Sequence, residues 1–315
     1  MKKRMLILLL IPSFCSAQIN WKNVDTAFGI LSSSMHAFYS NDSLDGKPNI
    51  AYYALIDLKD KHLEFTVDTT LNRRLTPNQY FEKNDHPLLV VNCTFFEFVH
   101  QRNLNVVIKD GKLLSFNNEI IAGKAKDTLT YQHIFASAIG IDRKRNADVA
   151  WILTDSSKYF AFASQHAVKA FKDSSAKHGF DFYFRQSSFK KWKMQTAVGG
   201  GPVLLQNGEI KITNNEELKF AGKAINDKHP RTCMGYTKDG KLIVMVIEGR
   251  FPGKAEGATL QQEAKLLKDI GCVEALNLDG GGSSCMLING KQTITPSDKE
   301  GQRPVPAVFI VQLKK

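Results

Sequence analysis

Apolar and polar residues alternate in short blocks along most of this chain, and turn-forming residues separate the blocks. Ala51–Asp57 and His62–Asp68 read as strands joined by the polar turn Leu58-Lys59-Asp60-Lys61. Leu88–Val91 is a continuous apolar run, the pattern of a buried strand. Leu104–Ile108 and Leu113–Phe116 flank Asp110-Gly111, a hairpin signal, and Phe135–Ile141 and Asp148–Thr154 add two strands. Val203-Leu204-Leu205 leads into a second hairpin signal at Asn207-Gly208. The strand beginning at His229 turns at Lys238-Asp239-Gly240-Lys241 into Leu242–Ile247, Asn289-Gly290 turns a further hairpin, and Ala307–Leu313 closes the series.

Helices are fewer. In Thr76-Pro77-Asn78-Gln79, Thr76 is the N-cap, Pro77 takes the first helical position and Gln79 closes a capping box. Asp85-His86-Pro87 stops that helix early. Thr259-Leu260-Gln261-Gln262 is a second capping box, followed by Leu260, Ala264, Leu267 and Ile270 near a helical repeat and by Gly271 as a stop. Lys158–His178 is a third helical candidate, ended by Gly179. Many hairpin strands with two or three helices predict an α+β protein with a large mixed or antiparallel sheet in a single domain. Residues 18–85 supply N-terminal strands and a short helix to the same globule, and 86–315 carry the chemistry.

The first seventeen residues read as an export signal. Lys2, Lys3 and Arg4 precede the apolar Met5–Pro12, and Cys15-Ser16-Ala17 offers a small-residue cleavage site. Bulky Phe14 argues against a lipoprotein anchor at Cys15, and the apolar body is too short for a membrane-spanning helix. A periplasmic or extracellular protein is expected. Loss of those three basic residues lowers the formal charge from +11 to +8. A basic surface suits phosphate-bearing partners, but no zinc-finger spacing, Arg/Lys-rich helix or RNA-binding signature accompanies it, which excludes nucleic acid. Cys93, Cys233, Cys272 and Cys285 remain, free to pair in an oxidising compartment or to stay as buried thiols. None has zinc-ligand spacing, and the eight histidines include no His-Glu-x-x-His or His-x-His. No metal site and no cofactor are predicted.

Candidate chemistry lies at strand ends. Asn92–Glu97 follows a buried strand. Gly199-Gly200-Gly201-Pro202 precedes one. Glu248-Gly249-Arg250 ends another, whose partner begins Arg231-Thr232. Asn277-Leu278-Asp279-Gly280-Gly281-Gly282-Ser283-Ser284 joins a carboxylate to three residues without Cβ and two hydroxyls. Backbone N–H groups in such a triplet can approach an anion closely. Other templates fail. The triplet lacks the Lys of a P-loop, no Gly-x-Ser-x-Gly elbow exists, and no parallel βαβ pattern supports a dinucleotide fold.

These motifs, in this order over roughly residues 86–313, resemble the phosphodiester glycosidase family. Ala275–Ser284 is the most specific match, supported by Arg231-Thr232, Glu248-Gly249-Arg250 and Gly200-Gly201-Pro202. The chain departs from the family pattern at Asn92-Cys93-Thr94, where Asn-Gly-Gly or Asn-Ala-Gly is typical, and at Glu248, where Asp is usual. The resemblance implies hydrolysis of a sugar-1-phosphodiester between the anomeric carbon and the phosphate oxygen, releasing sugar from an envelope or extracellular glycan. Asp279 and Glu248 are the candidate catalytic carboxylates. Arg231, Arg250 and the Gly280–Gly282 amides are candidates for stabilising phosphate charge. Asn92, Asn277, Thr232, Ser283, Gly200 and Gly201 complete the candidate substrate-binding set. Two alternatives stand beside this one: non-catalytic binding of phosphorylated glycans, and a phosphodiesterase cleaving the phosphorus–oxygen bond.

Overall fold

A computed structural model describes residues 19–314, so the expected export signal and Cys15 lie outside the described residues. The strands form sheets of eight, seven, five and three members. Every pairing between these strands is antiparallel. The eight-stranded sheet runs, in spatial order, through Lys22–Asn23, Met35–Ser40, Ala51–Asp57, Lys241–Ile247, Arg231–Thr237, Cys272–Asn277, Val203–Gln206 and Glu209–Ile210. Early strands are thus hydrogen-bonded to late ones: Ala51–Asp57 pairs with Lys241–Ile247, and Leu63–Thr69 with Ala307–Leu313.

The two-residue period of a strand divides the core. In Lys241–Ile247, the residues Leu242, Val244 and Val246 join one cluster with Val67, Val91, Ile139, Trp151 and Phe309, which come from the five- and seven-stranded sheets. Ile243, Met245 and Ile247 face the opposite way and pack under Leu260, Ala264 and Leu267 of the helix Leu260–Asp269. Three sheets therefore share one inner core, while that helix covers the outer face of the largest. The same alternation divides Arg231–Thr237. Cys233 lies in the helix-side cluster and Met234 in the inner one, so Arg231 shares the helix side and Thr232 the inner side.

Local turn and cap chemistry acts as the sequence predicts. Capping boxes Thr76/Gln79 and Thr259/Gln262 both form, opening Pro77–Lys83 and Leu260–Asp269. Lys158–His178 is corrected: it holds two short strands, Phe162–Ser164 and Phe171–Asp173, with no helix between them. Gly179 starts a helix there, Phe180–Phe184, instead of ending one. The four described cysteines are buried free thiols. No described helix is long and apolar enough to cross a membrane.

Candidate active site

The Cys272–Asn277 strand runs through Leu278 and Asp279 into a single 3-10 turn, Gly281–Ser283. Two neighbouring strand ends clamp this turn. Asp279 donates its N–H to the Cys93 carbonyl at 2.9 Å, and Asn92 Nδ2 donates to the Asp279 carbonyl at 2.6 Å. Asn92 Oδ1 in turn accepts from Thr232 Oγ1 at 2.9 Å and from the Cys285 amide at 3.1 Å. Asn92 is wholly buried, with its oxygen and one amide hydrogen engaged in the frame. It braces the turn, as does Thr232. The Gly281 N–H is likewise engaged, donating to the Pro230 carbonyl at 2.9 Å, so the triplet does not offer three open amides.

The second glycine run lies beside the first. Gly201 donates to the Asn277 carbonyl at 2.8 Å, and Asn277 Nδ2 donates back to the Gly201 carbonyl at 2.8 Å. Asn277 Oδ1 is buried without a hydrogen-bond partner. Behind Gly201 sits Glu217, 1% exposed. Its carboxylate accepts five hydrogen bonds, from the Ser137 amide and hydroxyl, the Val203 amide, Trp151 Nε1 and Thr213 Oγ1. A Cβ on Gly201 would collide with that carboxylate, and φ of +108° already requires glycine there.

Glu217 leads directly to Lys219, which spacing alone did not single out. Lys219 Nζ donates to the Gly200 carbonyl at 3.0 Å and lies 3.5 Å from the centroid of the Phe95 ring. Burial pushes its pKa down to about 8, against the pull of Glu217 and Asp279. Asp279 shows the complementary shift. Burial pushes its pKa up to about 6, although the Ser283 hydroxyl, Lys219, Arg303 and the Gly280 amide each draw it down. The Ser283 hydroxyl sits by that carboxyl but, buried, makes no well-formed hydrogen bond. A carboxyl that titrates near neutrality, with an ammonium and a guanidinium acting on it, is equipped for acid–base or nucleophilic work.

Arg303 is the other cation outside the sequence motifs. It makes a two-bond pair with Asp298, Nε to Oδ2 at 2.7 Å and Nη2 to Oδ1 at 2.9 Å. The pair lies against Gly282 so closely that a side chain there would displace both groups. Arg250 reaches the same turn from the end of Lys241–Ile247. Its Nη2 would stand 2.9 Å from a Cβ on Gly281, and Nη1 approaches Ser297 Oγ at 3.4 Å. Glu248 is buried beneath the same segment, accepting the Thr295 amide at 2.7 Å. Its other oxygen faces Lys254 across 3.4 Å without a full hydrogen bond.

Arg231 stands apart. It is 2% exposed on the helix side, donating to the carbonyls of Ala258 at 2.9 Å and Asp227 at 3.2 Å. The Glu263 carboxyl of the covering helix attracts it. Its guanidinium holds the frame. The cations gathered at the turn are Lys219, Arg250 and Arg303. Lys219 and Arg303 act on the Asp279 carboxyl and Arg250 lies against Gly281, an arrangement that suits an anionic substrate.

The phosphodiester glycosidase family matches residues 85–312. Mouse N-acetylglucosamine-1-phosphodiester alpha-N-acetylglucosaminidase is 31% identical over 103 residues, which make up 30% of this chain and 20% of the mouse protein. The SPbeta prophage-derived protein YomE of Bacillus subtilis is 38% identical over 74 residues, 24% of this chain and 11% of YomE. The alignments thus span well under half of either relative. The catalytic domain of the zebrafish N-acetylglucosamine-1-phosphodiester alpha-N-acetylglucosaminidase, auto-inhibited by its pro-peptide, shares the fold with a TM-score of 0.62 at 20% identity, covering 95% of this chain and 89% of that one. With more than two thirds of its residues inside the family match, this chain belongs to the phosphodiester glycosidase family.

Proposed function

We propose that this chain is an exported hydrolase that cleaves a sugar-1-phosphodiester between the anomeric carbon and the phosphate oxygen. N-acetylglucosamine, the sugar in the names of its mammalian relatives, is the first candidate, carried on an envelope or extracellular glycan. One observation carries the reading. At the tip of the glycine turn, burial pushes the Asp279 carboxyl up to about 6 against the pull of Lys219 and Arg303. A phosphodiester leaving group departs as an anion and needs little protonation. The catalytic demand is therefore a carboxylate at the anomeric centre plus cations on the departing oxygen. Asp279, ionised, attacks the anomeric carbon or activates water. Lys219, Arg303 and Arg250 offset the phosphate charge, and Glu248, with one oxygen free of hydrogen bonds, is the second carboxylate.

The test is hydrolysis of a methyl diester of N-acetylglucosamine 1-phosphate in oxygen-18 water. Label in the sugar product supports the proposal, whereas label in the phosphate would indicate attack at phosphorus. Asp279→Asn is expected to lower kcat by about 10²–10⁴-fold while substrate still binds. A wild-type protein that binds the diester without turning it over, and an Asp279→Asn variant that binds equally, would make this a binding module instead.

A further inference from the structure

Away from the glycine turn, three side chains meet in the smallest sheet. His133 ends the strand Tyr131–His133, and Asp173 ends its antiparallel partner Phe171–Asp173. His178 comes from the loop before the helix Phe180–Phe184. His133 Nε2 lies 3.1 Å from Asp173 Oδ1 and 3.1 Å from the Ser175 carbonyl. His178 Nε2 lies 2.6 Å from Asp173 Oδ2. One ligand atom from each of the three side chains falls within 4.8 Å of the others.

We propose that His133, Asp173 and His178 form a structural transition-metal site, best matched to Zn²⁺, with the Ser175 carbonyl in the fourth position. Bonds of about 2.0–2.1 Å to a tetrahedral zinc place ligand atoms ~3.3 Å apart, close to the separations around His133 Nε2. Two imidazoles, a carboxylate and a carbonyl form a borderline donor set that suits this ion.

The surroundings orient the ligands. His133 Nδ1 is 2.8 Å from the Tyr183 hydroxyl, which leaves Nε2 directed at the cluster. A metal-bound His133 would hold its proton on Nδ1 and donate it to Tyr183, an outer-shell contact typical of metal-binding histidine. Phe171 stacks on His133 with ring centroids 4.6 Å apart, and Phe182 on His178 at 3.9 Å. His133 is fully buried, but the Asp173 and His178 side chains are 34% and 19% exposed, giving an ion a way in. The competing arrangement is a proton-bridged pin, in which both imidazoles donate to Asp173. Those two states respond differently to chelation.

The full chain is dialysed against Zn²⁺; metal content is assayed after desalting, and the thermal midpoint is read in Zn²⁺-containing buffer and again after EDTA. About one Zn²⁺ per chain is expected, with a midpoint roughly 5 °C higher when free Zn²⁺ is about 100 times Kd than after chelation. Co²⁺ in its place should give the intense visible bands of a tetrahedral ion. Asp173→Asn, which keeps a side chain able to accept from imidazole, should lose the metal and the response to EDTA, as should His178→Ala. A wild-type chain that retains no metal and ignores EDTA would establish the proton-bridged pin and overturn the proposal. Full metal retention in Asp173→Asn would overturn it too, because the ion would then reside elsewhere.

Discussion

At the scale of single residues, Asp279 and Lys219 form a pair whose titrations move toward each other. The carboxylate works ionised and the ammonium works charged. Burial raises the Asp279 pKa to about 6 and lowers the Lys219 pKa to about 8. kcat/KM for the diester should therefore rise as pH increases through about 6 and fall again through about 8. Lys219→Arg keeps the cation charged throughout, so the alkaline limb should vanish while the acid limb stays. An unchanged alkaline limb in that variant would remove Lys219 from the assignment. This scale also shows what spacing could reveal. Asp279 and its glycines were legible because a carboxylate, three residues without Cβ and two hydroxyls are contiguous. Lys219 and Arg303 stand in polar stretches with no local signature, and only long-range folding brings them to the turn. Asn92, Thr232 and Arg231 were legible as polar strand ends, but the bracing bonds they make reach partners distant in sequence.

At the scale of elements, legibility followed locality. The hairpins at Asp110-Gly111, Asn207-Gly208, Asp239-Gly240 and Asn289-Gly290 all form, because a turn of two or three residues is decided by its own residues. Both capping boxes form for the same reason. The 158–178 segment was misread because distant partners decide it. Phe162–Ser164 pairs with Ala147–Leu153 and with Lys190–Lys191, and Phe171–Asp173 pairs with Tyr131–His133. Phe162 also packs on Phe180 and Phe184, so its aromatic spacing reports a cluster assembled from separate elements. The helix Leu260–Asp269 gives an element-scale prediction. It covers the sheet face opposite Thr232 and Asn92, and its Thr259 cap accepts the Gln262 amide at 3.2 Å. Thr259→Ala should lower stability by about 1 kcal/mol in denaturant titration while kcat stays within twofold. A large fall in kcat at unchanged stability would show that the cap acts on the site.

At the scale of the whole molecule, buried acids set the response to pH. Burial raises the pKa of Glu263 to about 7, Glu119 to about 7 and Asp279 to about 6. Between roughly pH 4.5 and 7 the folded protein holds protons on these groups that the unfolded chain has released. The folded state then binds more protons, so stability falls as pH rises across that window. His229 opposes the trend. Burial, with Arg231 and Arg250 nearby, lowers its pKa, so its contribution is lost as pH falls below the ordinary histidine range. Asp25, Asp57 and Asp155 have lowered pKa values and stabilise the fold above the ordinary carboxylate range, with that stability lost only in stronger acid. Glu263, Glu119 and Asp279, joined by Asp148, Glu217 and Glu274, whose pKa values burial also raises, outweigh His229 and the lowered Lys219, which places the maximum on the acid side of neutrality. The thermal midpoint at about pH 5.5 should exceed that at pH 8 by roughly 5 °C. Glu263→Gln tests the cause, because glutamine reproduces the protonated carboxyl at every pH. It should raise the midpoint at pH 8, leave it nearly unchanged at pH 5.5, and flatten the slope between them. A variant less stable than wild type at pH 8 would mean that the ionised Glu263 supports Arg231 more than its burial opposes folding, and the acid-side maximum would then need another origin.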